Sequence, residues 1–349
     1  GMKGLFKYLT PFAPDQSGVV SVLYEFGGLL VICDAGGCAG NICGFDEPRW
    51  STAKSAIFSA GLRDMDAIMG RDERLVKKLA LAAEQISGNF AAVIGTPVPA
   101  VIATDYHALA GMIRRKVKLP VIAVESTGMS YYDKGAEAAY LELVRQFGTE
   151  KKGTQAGLVG VYGVNPLDMG DLMAAKKLQQ YYDSKPNACR LACYGMGAGI
   201  RELAEASAAE KNLVVAPSGL KAAKYMKEHY DIPYEIDNPL ALDCLMDIDY
   251  TGKRVLIIHQ QVSAHTLRRE LEKRGAAEVV AANFFMQLPE LTQERDIRLT
   301  EESQCEELIN SGSFDILIAD AVFMKMAKNF EGIFMEYPQF AVSGKLVEA

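Results

Sequence analysis

Three evenly spaced cysteines, Cys33, Cys38 and Cys43, lie in the stretch GLLVICDAGGCAGNICGFDEPRW, with four residues between each pair. Thiolates are soft donors that suit iron–sulfur clusters, zinc or copper(I). Gly36, Gly37 and Gly40 interleave them. Glycine lets a backbone take positive φ and approach a bulky guest closely. C-x4-C-x4-C is not a common zinc-finger spacing, and the loop has no CxxC pair. The plain alternative is three small apolar residues lining a tight turn under a sheet.

The rest of the chain offers little competing chemistry. The four histidines, His107, His229, His259 and His265, form no HExxH pair, and no GxSxG elbow is present. This argues against a zinc hydrolase or a serine triad. No GxxxxGKS/T occurs, so the chain is not expected to hydrolyse ATP by itself. Gly195–Gly199 (GMGAG) follows a strand and precedes a helix, but its third glycine comes one residue early for a dinucleotide fingerprint. A tight, closely packed turn is the expected reading. Cys189 and Cys193, four apart, read as small residues on one face of a buried strand. Cys244 and Cys305 read as core. His259 ends a strand, and core or surface duty is expected of it. Glu125, Ser126, Asp105 and Ser218 fall at strand ends or helix starts, where proton donors are found, but nothing further singles them out.

The elements that position these residues alternate. Two short apolar runs at 19–24 and 29–33 read as a hairpin or adjacent strands. Ser51–Gly61 and Asp72–Ile86 read as helices by period. Strands follow at Phe90–Ile94 and Val121–Val124, with helices at Asp105–Arg115 and Lys134–Phe147. The polar stretch GTEKKGTQ (Gly148–Gln155) reads as a boundary. The pattern then resumes with strands at Gly157–Tyr162, Cys189–Cys193 and Leu213–Ala216, and helices at Met169–Tyr182, Ile200–Ala208 and Leu220–His229. After a second boundary it continues with Arg254–His259, Ser263–Arg274, Glu278–Ala281, Cys305–Ser311, Ile316–Ala319 and Ala321–Lys328. Strands alternating with such helices specify parallel sheets with right-handed crossovers. The expected fold is α/β: three consecutive Rossmann-like modules, at 1–150, 151–250 and 251–349. Ligands in such sheets bind outside the carboxyl ends of the strands. That marks Cys33–Cys43, Thr96–Pro99, Glu125–Gly128, Gly163–Pro166 and Ala216–Gly219 as candidate edges.

Composition narrows the class. The 349 residues are 49% hydrophobic and 23% charged, which suits a globular protein of two or three domains. A net charge of −7 argues against a general nucleic-acid binder. No apolar run is long enough to predict a membrane span. Seven cysteines, an odd number, and no signal-peptide core at the start predict a cytoplasmic chain with reduced thiols or metal ligands.

Five segments in order resemble the nitrogenase component 1 superfamily, which includes nitrogenase subunits, dark-operative protochlorophyllide and chlorophyllide reductases and the nickel-tetrapyrrole reductive cyclase. GLLVICDAGGCAGN resembles the family's strand followed by HGPxGC. MGRDERLVKKLALAAEQISGNFAAVIGTPVPAVIATD resembles its second conserved region. LPVIAVESTGM resembles the stretch ending in xxTPGF. NLVVAPSGLKAAKYMKEHYDIPYEID resembles the segment that holds the cofactor cysteine in true nitrogenases. GKRVLIIHQQVSAHTLRRELEKRGA resembles the opening of the third domain.

The resemblance implies three modules around a central cleft. It implies a dimer with a homologous subunit or with itself, and electrons delivered by an ATP-dependent iron-protein reductase. Cys38 falls on the family's bridging-cluster cysteine. Thr96 falls where the family has another cluster cysteine, and Ala216 where nitrogenase holds its active-site metal cofactor. An iron–sulfur cluster, 4Fe–4S in the expected form, is therefore implied at Cys38. Cys33 and Cys43 lie outside the family pattern; they are candidate substitute ligands, with a partner supplying the fourth, or else inert thiols. No FeMo cofactor, and so no nitrogen fixation, is expected. The implied substrate is a small molecule in the cleft, such as a tetrapyrrole-like ring. The alternative is a binding or assembly protein that keeps the fold, has lost the redox chemistry, and carries a metallocofactor or small molecule.

Overall fold

The computed structural model describes residues 7–33, 55–60, 90–95, 106–126, 128–148 and 150–347. Gly36, Gly37, Cys38, Gly40, Cys43, Thr96, Asp105 and the expected helix at 72–86 lie outside them.

Helix α1 (Asp15–Leu23) leads into β1 (Leu29–Cys33), β2 (Ala56–Ala60) and β3 (Ala91–Gly95). Then come α2 (Tyr106–Val117), β4 (Val121–Val124) and the long α3 (Tyr132–Phe147). The four strands form one parallel sheet in the order β2-β1-β3-β4. The second parallel sheet, β6-β5-β7-β8, uses β5 (Gln155–Tyr162), β6 (Arg190–Cys193), β7 (Ala209–Val214) and β8 (Tyr234–Ile236). Its helices are α4 (Pro166–Met169), α5 (Ala174–Asp183), α6 (Ile200–Ala204) and α7 (Leu220–Tyr230). The third, β11-β10-β9-β12-β13, is built from Arg254–Ile258 (β9), Glu278–Asn283 (β10), Ile297–Arg298 (β11), Ile316–Ala319 (β12) and Ile333–Glu336 (β13). It carries α8 (Gln261–Lys273), α9 (Glu302–Ile309) and α10 (Phe340–Ser343).

The alternating α/β reading holds, and all three sheets are parallel. Three local readings are corrected. The run at 19–24 is not a strand: Val19–Leu23 belong to α1, all nine of whose residues are buried. A helix buried on every side loses its amphipathic signature, so its β-branched run reads like a strand. The expected helix at 51–61 is strand β2 over Ala56–Ala60, in register with Leu29–Cys33. The expected helix Met169–Tyr182 is two helices. Gly170, at φ +64°, caps α4 in the left-handed conformation, and α5 starts afresh at Ala174.

Helix α3 lies between the first two sheets. One apolar core joins Leu30, Ile32 and Ile94 of the first sheet to Tyr140 and Leu143 of α3 and to Tyr162 and Val214 of the second. Helix α1 crosses α3 with backbones almost touching. A Cβ on Gly135 would lie 1.7 Å from the Asp15 carbonyl oxygen, and one on Gly18 1.8 Å from that of Tyr132. Only glycine permits that crossing, and the crossing sets where α3 begins. The third sheet packs through its own clusters, one of which takes in Phe12 from the N-terminal segment and Tyr132 from α3.

Candidate functional site

In the first two sheets the first strand lies between the next two, and in the third β9 lies between β10 and β12, so in each the chain reverses direction at a switch point. In the first sheet this lies between β1 and β3. Cys33, the last residue of β1, is in register with Ala60 of β2 and Gly95 of β3, so the three strands end level. Its side chain is fully buried. The segments leaving β1 and β3 at this edge, 34–54 and 96–105, carry Gly36, Gly37, Cys38, Gly40, Cys43 and Thr96. Just past the neighbouring β4, Ser126 is buried, and its Oγ has no hydrogen-bond partner among the described residues. Buried polar atoms are normally paired. Asp15 pins the following turn, its Oδ1 accepting from the Gly128 N–H at 2.9 Å.

The second sheet's switch point, between β5 and β7, is built differently. Asn165 caps α4, its Oδ1 accepting from the Asp168 N–H at 3.1 Å. That short helix turns the Asp168 carboxylate onto three donors. Tyr132 of α3 gives its hydroxyl to Oδ1 at 2.7 Å, while Asn165 Nδ2 and Ser218 Oγ donate to Oδ2 at 2.8 Å each. Asn165, Ser218 and Asp168 are buried. Burial pushes the Asp168 carboxyl up to about 6, against the pull of its three hydrogen bonds. Burial, and then the Asp168 charge, push the Tyr132 phenol well above its ordinary range. The next residue, Asp133, accepts the Met286 N–H, just past β10 of the third sheet, at 2.6 Å, and burial raises its pKa too. The start of α3 thus ties together two carboxylates and three sheets.

Ala216 sits in this second crevice with no room beside it. It is fully buried, and a Cβ on Gly163 would stand 2.8 Å from its nitrogen. Gln260, after β9, closes over the same strand end, its Nε2 donating to the Val215 carbonyl at 2.8 Å. A methyl group offers a metal nothing, so this crevice does not fit a thiolate-held metallocofactor. Among the described residues, no three His, Cys, Asp or Glu side chains gather as metal ligands.

The remaining candidates fall into structural roles. His259 is buried face to face with Tyr337, and its Nε2 bonds the Pro338 carbonyl at 2.9 Å. Burial drops its pKa to about 4, so it is neutral at pH 7. Cys193 lies buried on β6, with its thiol pushed up to about 12 by burial, while Cys189 just precedes that strand. Gly195 and Gly197 take φ of +89° and +100°, and the Glu25 carboxylate accepts the Gly197 N–H at 3.0 Å. GMGAG is therefore a turn whose amide already has an anionic partner. Among the described residues suggested for proton handling, Ser218 is the one found in a polar network; Glu125 is exposed. Asp168, the hub of that network, belongs to no motif. Its only sequence signal is a place three residues after the Asn165–Pro166 helix start.

The chain matches the family model described as nitrogenase component 1 type oxidoreductase over residues 18–247. Its fold is similar to the solved structure titled nitrogenase Cp1 at pH 6.5, with TM-score 0.67 and 12% identity, over 97% of this chain and 87% of that one. It is also similar to nitrogenase Cp1 at pH 5, with TM-score 0.58 and 18% identity, over 97% of this chain and 78% of that one. No curated protein sequence matches it.

Proposed function

The chain belongs to the nitrogenase component 1 type oxidoreductases, and on that premise we propose that it is a redox subunit with an iron–sulfur cluster at the first sheet's carboxyl edge. Cys38 is the principal ligand, Cys33 and Cys43 complete three thiolates, and a partner supplies the fourth. The observation that carries this is the place of Cys33, at the switch point where the other two cysteines' segment leaves β1 beside the Thr96 segment leaving β3. Three thiols within eleven residues are a donor set that suits iron–sulfur ligation. When bound, such a cluster supplies one-electron transfer. The chain's own part is to place Cys33, fully buried, at the level end of three strands where the segment carrying Cys38 and Cys43 departs.

In this reading the subunit pairs with a homologue or with itself, takes electrons from an ATP-dependent iron-protein reductase, and acts on a small, tetrapyrrole-like substrate in the cleft between modules. The three modules are 1–150, 151–250 and 251–349, and the protein is cytoplasmic. It does not fix nitrogen, because Ala216 and its close packing leave no ligand for the FeMo cofactor. Ala216 and Thr96 also favour the second reading, a non-redox binding or assembly protein on the same fold.

The test is iron and acid-labile sulfide per chain after anaerobic purification and reconstitution. About two to four iron per chain, lost in Cys38→Ser, supports the redox reading. A folded protein that takes up no iron leaves the binding or assembly reading.

A further inference from the structure

The carboxyl edge of the third sheet is crossed by the chain itself. Helix α10 stops at Gly344, which takes φ +68° in the left-handed conformation. Glycine adopts that conformation without strain, and a Cβ there would meet nothing within 4 Å. Beyond it, Leu346 packs against the third sheet's aromatic cluster, and Val347 reaches the second module. There the Val347 N–H donates to the Gly170 carbonyl at 2.7 Å. Gly170 caps α4, the helix that presents Asp168.

This segment runs between two cavities. One, of about 600 Å³, lies at the carboxyl ends of β12 and β13, with Asp320, Val322, Lys345 and Leu346 in its wall. The other, of about 240 Å³, lies on the side of the second module, with Asp168, Asn238 and Cys244 in its wall. Val347 lines both, as do Glu336 and Pro338 of the strand end beneath it. Parallel sheets take ligands outside the carboxyl ends of their strands, so the segment lies across the third sheet's ligand edge. Its hold is slight. Lys345 is exposed, and Leu346 and Val347 are half-buried. Among the described residues, one hydrogen bond joins 345–347 to the second module. Segments with so few buried contacts open locally while the fold stays intact. Helix α10, by contrast, is anchored through buried Phe340, Ala341 and Val342.

We infer that residues 345–347 are an autoinhibitory strap, hinged at Gly344 and latched by the Val347–Gly170 bond. Its release joins the two cavities into one cleft along the carboxyl edges of the second and third sheets. Closed, it shields the Cys244 thiol in the smaller cavity, which makes that thiol a built-in reporter. The inference goes beyond the redox reading and needs no cluster. Its tests are read without iron, so either can fail without the other.

The first test is the rate at which N-ethylmaleimide labels Cys244 in the folded full chain. It is read by peptide mass spectrometry against Cys189, which is half-buried and lines neither cavity. Val347→Pro deletes the latching N–H at a half-buried position. It should melt like the parent, label Cys244 about fivefold faster, as the loss of one hydrogen bond would give, and leave Cys189 unchanged. The second test uses the parent alone, so it decides the matter even where the variant does not fold. In amide-resolved hydrogen exchange, the Val347 amide should exchange well ahead of the Gly344 amide, which α10 keeps bonded to the Phe340 carbonyl. The inference is overturned if Cys244 labels at the same rate in both proteins, or if Cys189 speeds up as much. It also fails if the Val347 and Gly344 amides exchange together.

Discussion

Two switch points of the same topology have been put to different uses. At the second, between β5 and β7, the carboxylate is spent: Asp168 receives three hydrogen bonds, and Ala216 and Gly163 pack against each other. At the first, between β1 and β3, the donors are cysteines, and the described part shows a buried thiol and an unpartnered serine hydroxyl. A shared fold leaves a crevice at each such point, but side chains decide whether it holds a ligand or becomes a joint. Here the second crevice is a joint. It locks α3 to the second and third sheets, and so holds the first edge in place.

The contrast breaks most severely at the helix crossing on which the joint rests. Gly135→Ala places a methyl 1.7 Å from a backbone oxygen, which no side-chain rotation relieves. A loss of about 4 kcal/mol or more is expected, seen as a collapse of the denaturant midpoint or of soluble yield. Asp168→Ala comes next. It strands three buried donors and should cost about 3 kcal/mol, yet leave the iron content of the folded protein unchanged. Cys38→Ser should do the reverse, removing iron at little cost to the stability of the iron-free protein.

A pH series sharpens the account of the joint. The Asp168 carboxyl is raised from its ordinary 3.8 to about 6, so the folded state holds its proton more tightly than the unfolded state does. The resulting stability is fully present below pH 3.8 and is lost as pH rises through 6. It amounts to about 3 kcal/mol. Urea midpoints between pH 4.5 and 7.5 should therefore show Asp168→Asn gaining on the parent as pH rises. Asp133, with its raised pKa, titrates in the same direction in both proteins, and its charge adds to the upward push on the Asp168 carboxyl. The smallest effect is Tyr132→Phe, which deletes one of three donors and should cost about 1 kcal/mol.

Much of this was readable from the chain. LLVIC followed by glycines marks a buried strand entering a loop, and it places Cys33 at a strand end without coordinates. The alternation of strands and helices revealed three parallel sheets because each crossover is long enough to carry its own period. What escaped was set by tertiary packing. Helix α1 is buried all round, so its valines look like a strand, and β2 is defined by its pairing with β1 rather than by its own residues. The Asp168 joint was invisible because Tyr132, Asn165, Asp168 and Ser218 come from three elements spread over 87 positions of sequence. Only the fold makes them neighbours.

The central claim is that metal chemistry belongs to the first edge and not to the second. Its most direct test is the electron paramagnetic resonance spectrum of the anaerobically reconstituted, dithionite-reduced protein, taken on the parent, Cys38→Ser and Asp168→Asn side by side. The account predicts a reduced-cluster signal in the parent, its loss in Cys38→Ser, and its survival in Asp168→Asn. No signal in a folded parent, or a signal that survives Cys38→Ser and disappears in Asp168→Asn, would contradict it.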